Sequence, residues 1–183
     1  GSKAVLVVAG TMFLMFAAAG WATPASAEEL TMMAAVNKAG RQRMLSQRMV
    51  KAYCQIGLNV RRDEAREQLR QAVAQFDSQL AELNRFAPNL QLSESLAAVG
   101  GLWVPFKKII TSPYSRESAE QVAVLNEELL QATQLVTTQL EAVSGRPSAR
   151  LVNLAGRQRM LSQRIAKFYM LRELGFQTPL VLD

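Results

Sequence analysis

The ten residues AGRQRMLSQR occur twice in this chain, as Ala39 to Arg48 and again, letter for letter, as Ala155 to Arg164. Two identical decapeptides ask for similar surroundings at two places in one fold, so they constrain the architecture more than any single residue does. The likeness extends beyond the box. At an offset of 116, the windows Asn37–Tyr53 and Asn153–Tyr169 agree at 13 of 17 positions, including Lys51/Lys167 and Tyr53/Tyr169. Nothing between the copies repeats with the same period, which excludes a solenoid of stacked units.

Both copies sit in helical pattern. Apolar residues recur at three- and four-residue spacing from Leu30 to Leu58, with Gly57 as a stop, and Arg61 to Phe86 predicts a second helix ended by Pro88. Gly100-Gly101, Pro105 and Pro113 break the stretch Leu90 to Pro113 into a short helix and a connection. A long helix follows from Ser115 to Val143, with Glu117 and Glu120 where negative charge suits the helix dipole. Ser144-Gly145 ends it, and Ser148 is placed to cap a last helix reaching Leu174, with Gly175 beyond. With 10 Gly and 6 Pro in 183 residues, and Ala, Leu, Gln, Arg and Glu abundant, the composition fits an all-α fold. Four long helices with short connections predict an up-down-up-down four-helix bundle of one domain, with the two boxes on adjacent antiparallel helices at the same end.

The N-terminus has another character. Lys3 precedes the apolar run AVLVVAGTMFLMFAAAGWA, and Ala25-Ser26-Ala27 before Glu28 fits a small-x-small cleavage site. Residues 1–27 therefore read as an export signal, or as a retained membrane anchor, since the run is long enough to span. Either reading makes 28–176 a bundle outside the cytoplasm, in a bacterial periplasm, with 177–183 as a tail.

The chemistry on offer is narrow. The chain has no His and a single Cys, Cys54, which removes imidazole acid–base catalysis, Cys-His nucleophiles and the common zinc sets. No acid pair or nucleophile–base pair is recognisable, so neither an enzyme nor a cofactor is expected. The net charge of +6 favours an anionic partner. Nucleic acid is not expected, because the arginines alternate with apolar residues and aromatic platforms are sparse.

On a helical wheel, Met32, Val36, Ala39, Gly40, Val50, Cys54 and Leu58 form one apolar stripe with Arg43 at its middle. Val152, Ala155, Gly156, Ala166, Met170 and Leu174 repeat it, with Arg159 in the same place. Arg41, Arg48, Arg157 and Arg164 fall on a more polar side. A buried guanidinium must be satisfied, and neither box contains an acid. Two such planar forks beside small residues suit a small planar oxyanion. Pairing with acids of the middle helices, such as Asp77, Glu82, Glu127 or Glu128, is the competing structural reading.

The string NKAGRQRMLSQRMVKAY resembles the box of the type IV pilus methyl-accepting chemotaxis transducer N-terminal (PilJ-type) domain. It is also similar to the periplasmic sensor domain of nitrate/nitrite-responsive histidine kinases, whose box reads NKAG-x-x-R-M-x-S-x-R. The resemblance covers about residues 28–176 and implies a periplasmic four-helix sensor bundle, usually dimeric. It also implies that the arginine before the Met, Arg43 here and Arg159 by the repeat, contacts a nitrate-like anion. Gly40, Met44, Gly156 and Met160 would then line the site. Members of the family continue through a second membrane helix, whereas LRELGFQTPLVLD is too short and polar to be one. The alternative is an accessory subunit of a membrane complex in which the box arginines only hold helices together.

Overall fold

The computed structural model describes residues 30–176, so the N-terminal apolar run and the tail 177–183 lie outside the described residues. Five helices make up the described chain: α1 (Met32–Gly57), α2 (Arg62–Phe86), α3 (Leu90–Ile110), α4 (Arg116–Ser144) and α5 (Pro147–Glu173). The fold is all-α. None of these helices is long and apolar enough to cross a membrane.

Local chemistry sets the ends. Thr31, Asn89 and Ser115 each accept a hydrogen bond from the backbone N–H three residues on, capping α1, α3 and α4. Gly145 takes the left-handed conformation (φ 58°) that lets the chain leave α4 and re-enter a helix within three residues. The last helix starts two residues earlier than a Ser148 cap would place it, with Arg146 as the N-cap. Pro147 occupies its first turn, where the missing N–H costs nothing, and Ser148 lies inside the helix.

The segment Leu90–Pro113 departs furthest from expectation. It is one helix of 21 residues through Gly100, Gly101 and Pro105. Leu92, Leu96, Val99, Trp103, Phe106 and Ile110 are buried in an unbroken four-three spacing, and this stripe outweighs the breakers. Gly101 and Pro105 both face solvent, so the Gly101 carbonyl that Pro105 leaves without an N–H partner can bond to water.

A full α3 changes the topology. Helices α1 to α4 run up, down, up, down, and α5 runs up again beside α1. The boxes are therefore parallel, not antiparallel. Ser148 Oγ lies 3.8 Å from Met33 Sδ, and further along the pair Arg43 reaches the carbonyl of Asn153. Gly40 and Gly156, identical positions of the repeat, meet face to face: a Cβ built on Gly156 would stand 3.6 Å from the Gly40 Cα. Two identical segments packed parallel and in register are related by an approximate two-fold axis along the helices. α1 occupies the centre, packed by α2, α4 and α5, and α5 lies at the flank.

Candidate functional site

The repeat places like against like, yet the two halves do not meet the same environment. Arg43 is 0% exposed, whereas Arg159 is exposed. The cause is position: α2 and α4 cover the outer faces of α1, and nothing among the described residues covers the matching face of α5. Met49 is 0% exposed where its counterpart Ile165 is 71%, and Tyr53 is 1% where Tyr169 is 51%. Ala155, expected on the apolar stripe of the last helix, is likewise exposed, while Val152, Ala166, Met170 and Leu174 are half-buried.

The Arg43 guanidinium lies between α1, α4 and α5. Its Nη1 donates to Gln134 Oε1 at 2.5 Å and its Nη2 to the Asn153 carbonyl at 3.2 Å, while its buried Nε finds no partner. None of the four acids expected as structural partners pairs with it: Glu128 is exposed, and the other three are engaged elsewhere. Asp77 accepts from Trp103 and Lys107, Glu82 from Lys38, and Glu127 from Lys167 and Arg164. The nearest compensating charge is Glu141, which acts at a distance and accepts a hydrogen bond from Asn153 Nδ2. Burial, then the neighbouring Arg157 charge, push the Arg43 pKa down to about 10, and Glu141 offsets only part of this. Arg43 remains a cation at neutral pH, but one held by neutral acceptors in a place short of negative charge.

The glycines make this possible. A Cβ on Gly40 or Gly156 would stand 3.2 or 3.1 Å from Arg43 Nη2, so the guanidinium fills the space that two missing side chains leave. Met44 and Met160, matched positions of the repeat, are both buried, at 8% and 7% exposure. Across the pair, Arg159 Nη2 donates to Asn37 Oδ1 at 3.4 Å. Each box arginine thus reaches the asparagine of the other box, Arg43 through a backbone carbonyl and Arg159 through a side chain. Of the candidate residues, Gly40, Arg43 and Gly156 come together, and Arg159, exposed, reaches Asn37 across the helix pair.

A second buried cation, Lys167, escaped the sequence reading. It is 0% exposed, and its Nζ donates to Glu127 Oε1 at 2.6 Å and Asn126 Oδ1 at 2.9 Å. Asn126 in turn donates to the carbonyl of the box residue Ser46 at 2.9 Å, joining α5, α4 and α1 in one polar chain. Burial lowers the Lys167 pKa to about 8 against the pull of Glu127. Burial favours the neutral acid at Glu127, but Lys167 and Arg164 hold its carboxyl below the usual range. The partners lie about 40 positions away in sequence, so no local signal announced the pair.

The described residues thus form an all-helical bundle in which the two arginine boxes pack side by side and buried cations, Arg43 and Lys167, sit at its centre. Its family is specific. Residues 25–124 and 142–179 match the family described as "Type IV pili methyl-accepting chemotaxis transducer N-term", PilJ, and the chain belongs to it. Both boxes lie within the matched segments. Members are the sensory domains of chemotaxis transducers. No curated protein and no solved structure matches the chain.

Proposed function

We propose that the domain senses a small oxyanion, nitrate or nitrite first, in the periplasm, and that the anion is received beside Arg43 between the two boxes. The observation that carries this reading is a fully buried arginine with no carboxylate partner and an unbonded Nε–H, its guanidinium seated where Gly40 and Gly156 lack side chains. A planar anion accepts from such a fork through two oxygens and supplies the charge that the pocket lacks. Arg159 and Arg157 stand close enough along α5 to add attraction from the solvent side. Anion binding would relieve repulsion between Arg43 and Arg157 and shift the packing of α5 on α1, the differential interaction that a two-state signal requires.

Arg43 also holds Gln134 and Asn153, which favours a second reading: a structural arginine in an accessory subunit that docks on a membrane complex. Calorimetric titration with nitrate, nitrite, sulfate and acetate separates the two. Saturable nitrate or nitrite binding that is lost in Arg43→Ala, with helicity retained, supports the sensor. Heat unchanged by the substitution, or no heat with any anion, removes it. Stoichiometry distinguishes a site within one chain from a homodimeric one.

A further inference from the structure

At the end of the bundle where α1 gives way to α2, a cleft of about 750 Å³ opens between the last turn of α1, the first three turns of α2 and the link from α3 to α4. Arg43 is 14 residues before Gly57, roughly 21 Å along a helix, so this cleft is separate from the space between the boxes. Its volume lies in the range that receives whole organic ligands rather than inorganic ions.

The interior is apolar and the mouth is basic. Leu69, Val73 and Ile110 form the floor, each 9% exposed or less. Tyr53 and Tyr114 form one wall, with ring centroids 5.3 Å apart. The wall is fixed. Tyr53 donates to the Pro113 carbonyl at 3.1 Å, and the Tyr114 ring lies against Gly57 so closely that a Cβ there would stand 2.2 Å from it. Arg62, Arg66 and Arg70 follow one another at four-residue spacing along the α2 side, and no carboxylate lines the cleft. Their charges are unequally matched. Glu67 accepts two hydrogen bonds from Arg70, at 2.8 and 2.6 Å, whereas Asp63 approaches Arg66 only to 3.6 Å. Arg62 makes no ion pair among the described residues.

From this combination we infer a second ligand site, for a monocarboxylate with an aliphatic or aromatic body: the body fills the cleft over Leu69, Val73 and Ile110, and the carboxylate meets Arg62 and Arg66. The preformed wall lowers the ordering cost of binding. An inorganic oxyanion gains nothing from the apolar floor, and a neutral lipid-like molecule gains nothing from the arginines.

The test is calorimetry on the full chain with decanoate and 4-phenylbutyrate, against 1-decanol and sulfate as the neutral and the purely anionic comparison. Decanoate or 4-phenylbutyrate should bind saturably, one molecule per chain, with 1-decanol about tenfold weaker, the weight of a single charged contact. The exposed double substitution Arg62→Gln/Arg66→Gln should bring the carboxylates down to the level of the alcohol, and Val73→Phe, which fills the floor, should weaken both. Circular dichroism of each variant checks that the bundle is intact, and Arg62→Lys should restore part of the carboxylate affinity. Absence of saturable carboxylate binding, equal affinity for 1-decanol, or an unchanged affinity in the arginine double variant would overturn the site.

Discussion

Glu127→Gln tests the electrostatics of the bundle most directly, because among the described residues Glu127 is the only carboxylate bonded to the buried Lys167. The folded pKa of Lys167 lies at about 8, below its ordinary 10.5. A cation lowered in this way binds protons better when unfolded, so its contribution to stability rises with pH between those two values and is flat below the lower one. The amide variant keeps Asn126 as a neutral acceptor but loses the charge that held the ammonium, and its Lys167 pKa falls further. Breaking a buried pair from one side costs about 3 to 5 kcal/mol while the remaining charge persists. The lysine can relieve this by releasing its proton, and each pH unit above its new pKa returns about 1.4 kcal/mol. The parent protein gains the same increments only above about pH 8. The difference between the two should therefore be largest at pH 6, shrink by about 1 to 3 kcal/mol on the way to pH 8, and stay constant beyond. Denaturant unfolding followed by far-ultraviolet circular dichroism at pH 6, 7, 8 and 9 measures it. A stability difference equal at pH 6 and pH 8 would show that Lys167 keeps its proton without Glu127, and the reasoning would fail.

Three further substitutions read other features. Gly156→Ala should destabilise by about 1 to 2 kcal/mol despite the better helix former, because its Cβ meets the confined Arg43 guanidinium; thermal melts showing a gain would contradict the tight approach of α1 and α5. Gly40→Ala, with slightly more room, should cost less. Pro105→Ala restores an N–H to the middle of α3 on its solvent side and should stabilise by about 1 to 3 kcal/mol, against which an unchanged melting temperature would count. The Cys54 thiol is fully buried, and burial pushes its pKa up to about 12, so it should resist a disulfide reagent at pH 8 until denaturant is added. Rapid modification of the native protein would place it outside the core.

Periodicity and capping residues made four of the five helices legible to within one or two residues, and the repeat made Arg43 conspicuous as a charge on an apolar stripe. The same signals misled at α3. Gly100, Gly101 and Pro105 each weaken a helix, but the buried stripe from Leu92 to Ile110 keeps its register and outweighs them, with Gly101 and Pro105 on the solvent face. Counting that helix reverses the direction of everything after it, which is why the boxes are parallel. Arg159 was unreadable for a different reason. Its sequence surroundings equal those of Arg43, and its exposure is decided by which helices happen to cover α5, a property of the assembly and not of the segment. Lys167 depends on partners some 40 residues distant and could not be found by any local pattern.

The in-register pairing of α1 with α5 has a consequence for how such a pair responds to dilution. Parallel helices carrying one and the same sequence are the usual product of two chains meeting about a symmetry axis, and an association of that kind depends on how much protein is present. Here the intervening helices tether the copies, and their encounter is a first-order event at a fixed effective concentration. Lowering the amount of protein leaves the junction assembled. Its two arginines are also encoded separately, so either can change while the other stays, a freedom that one residue used twice by symmetry does not have.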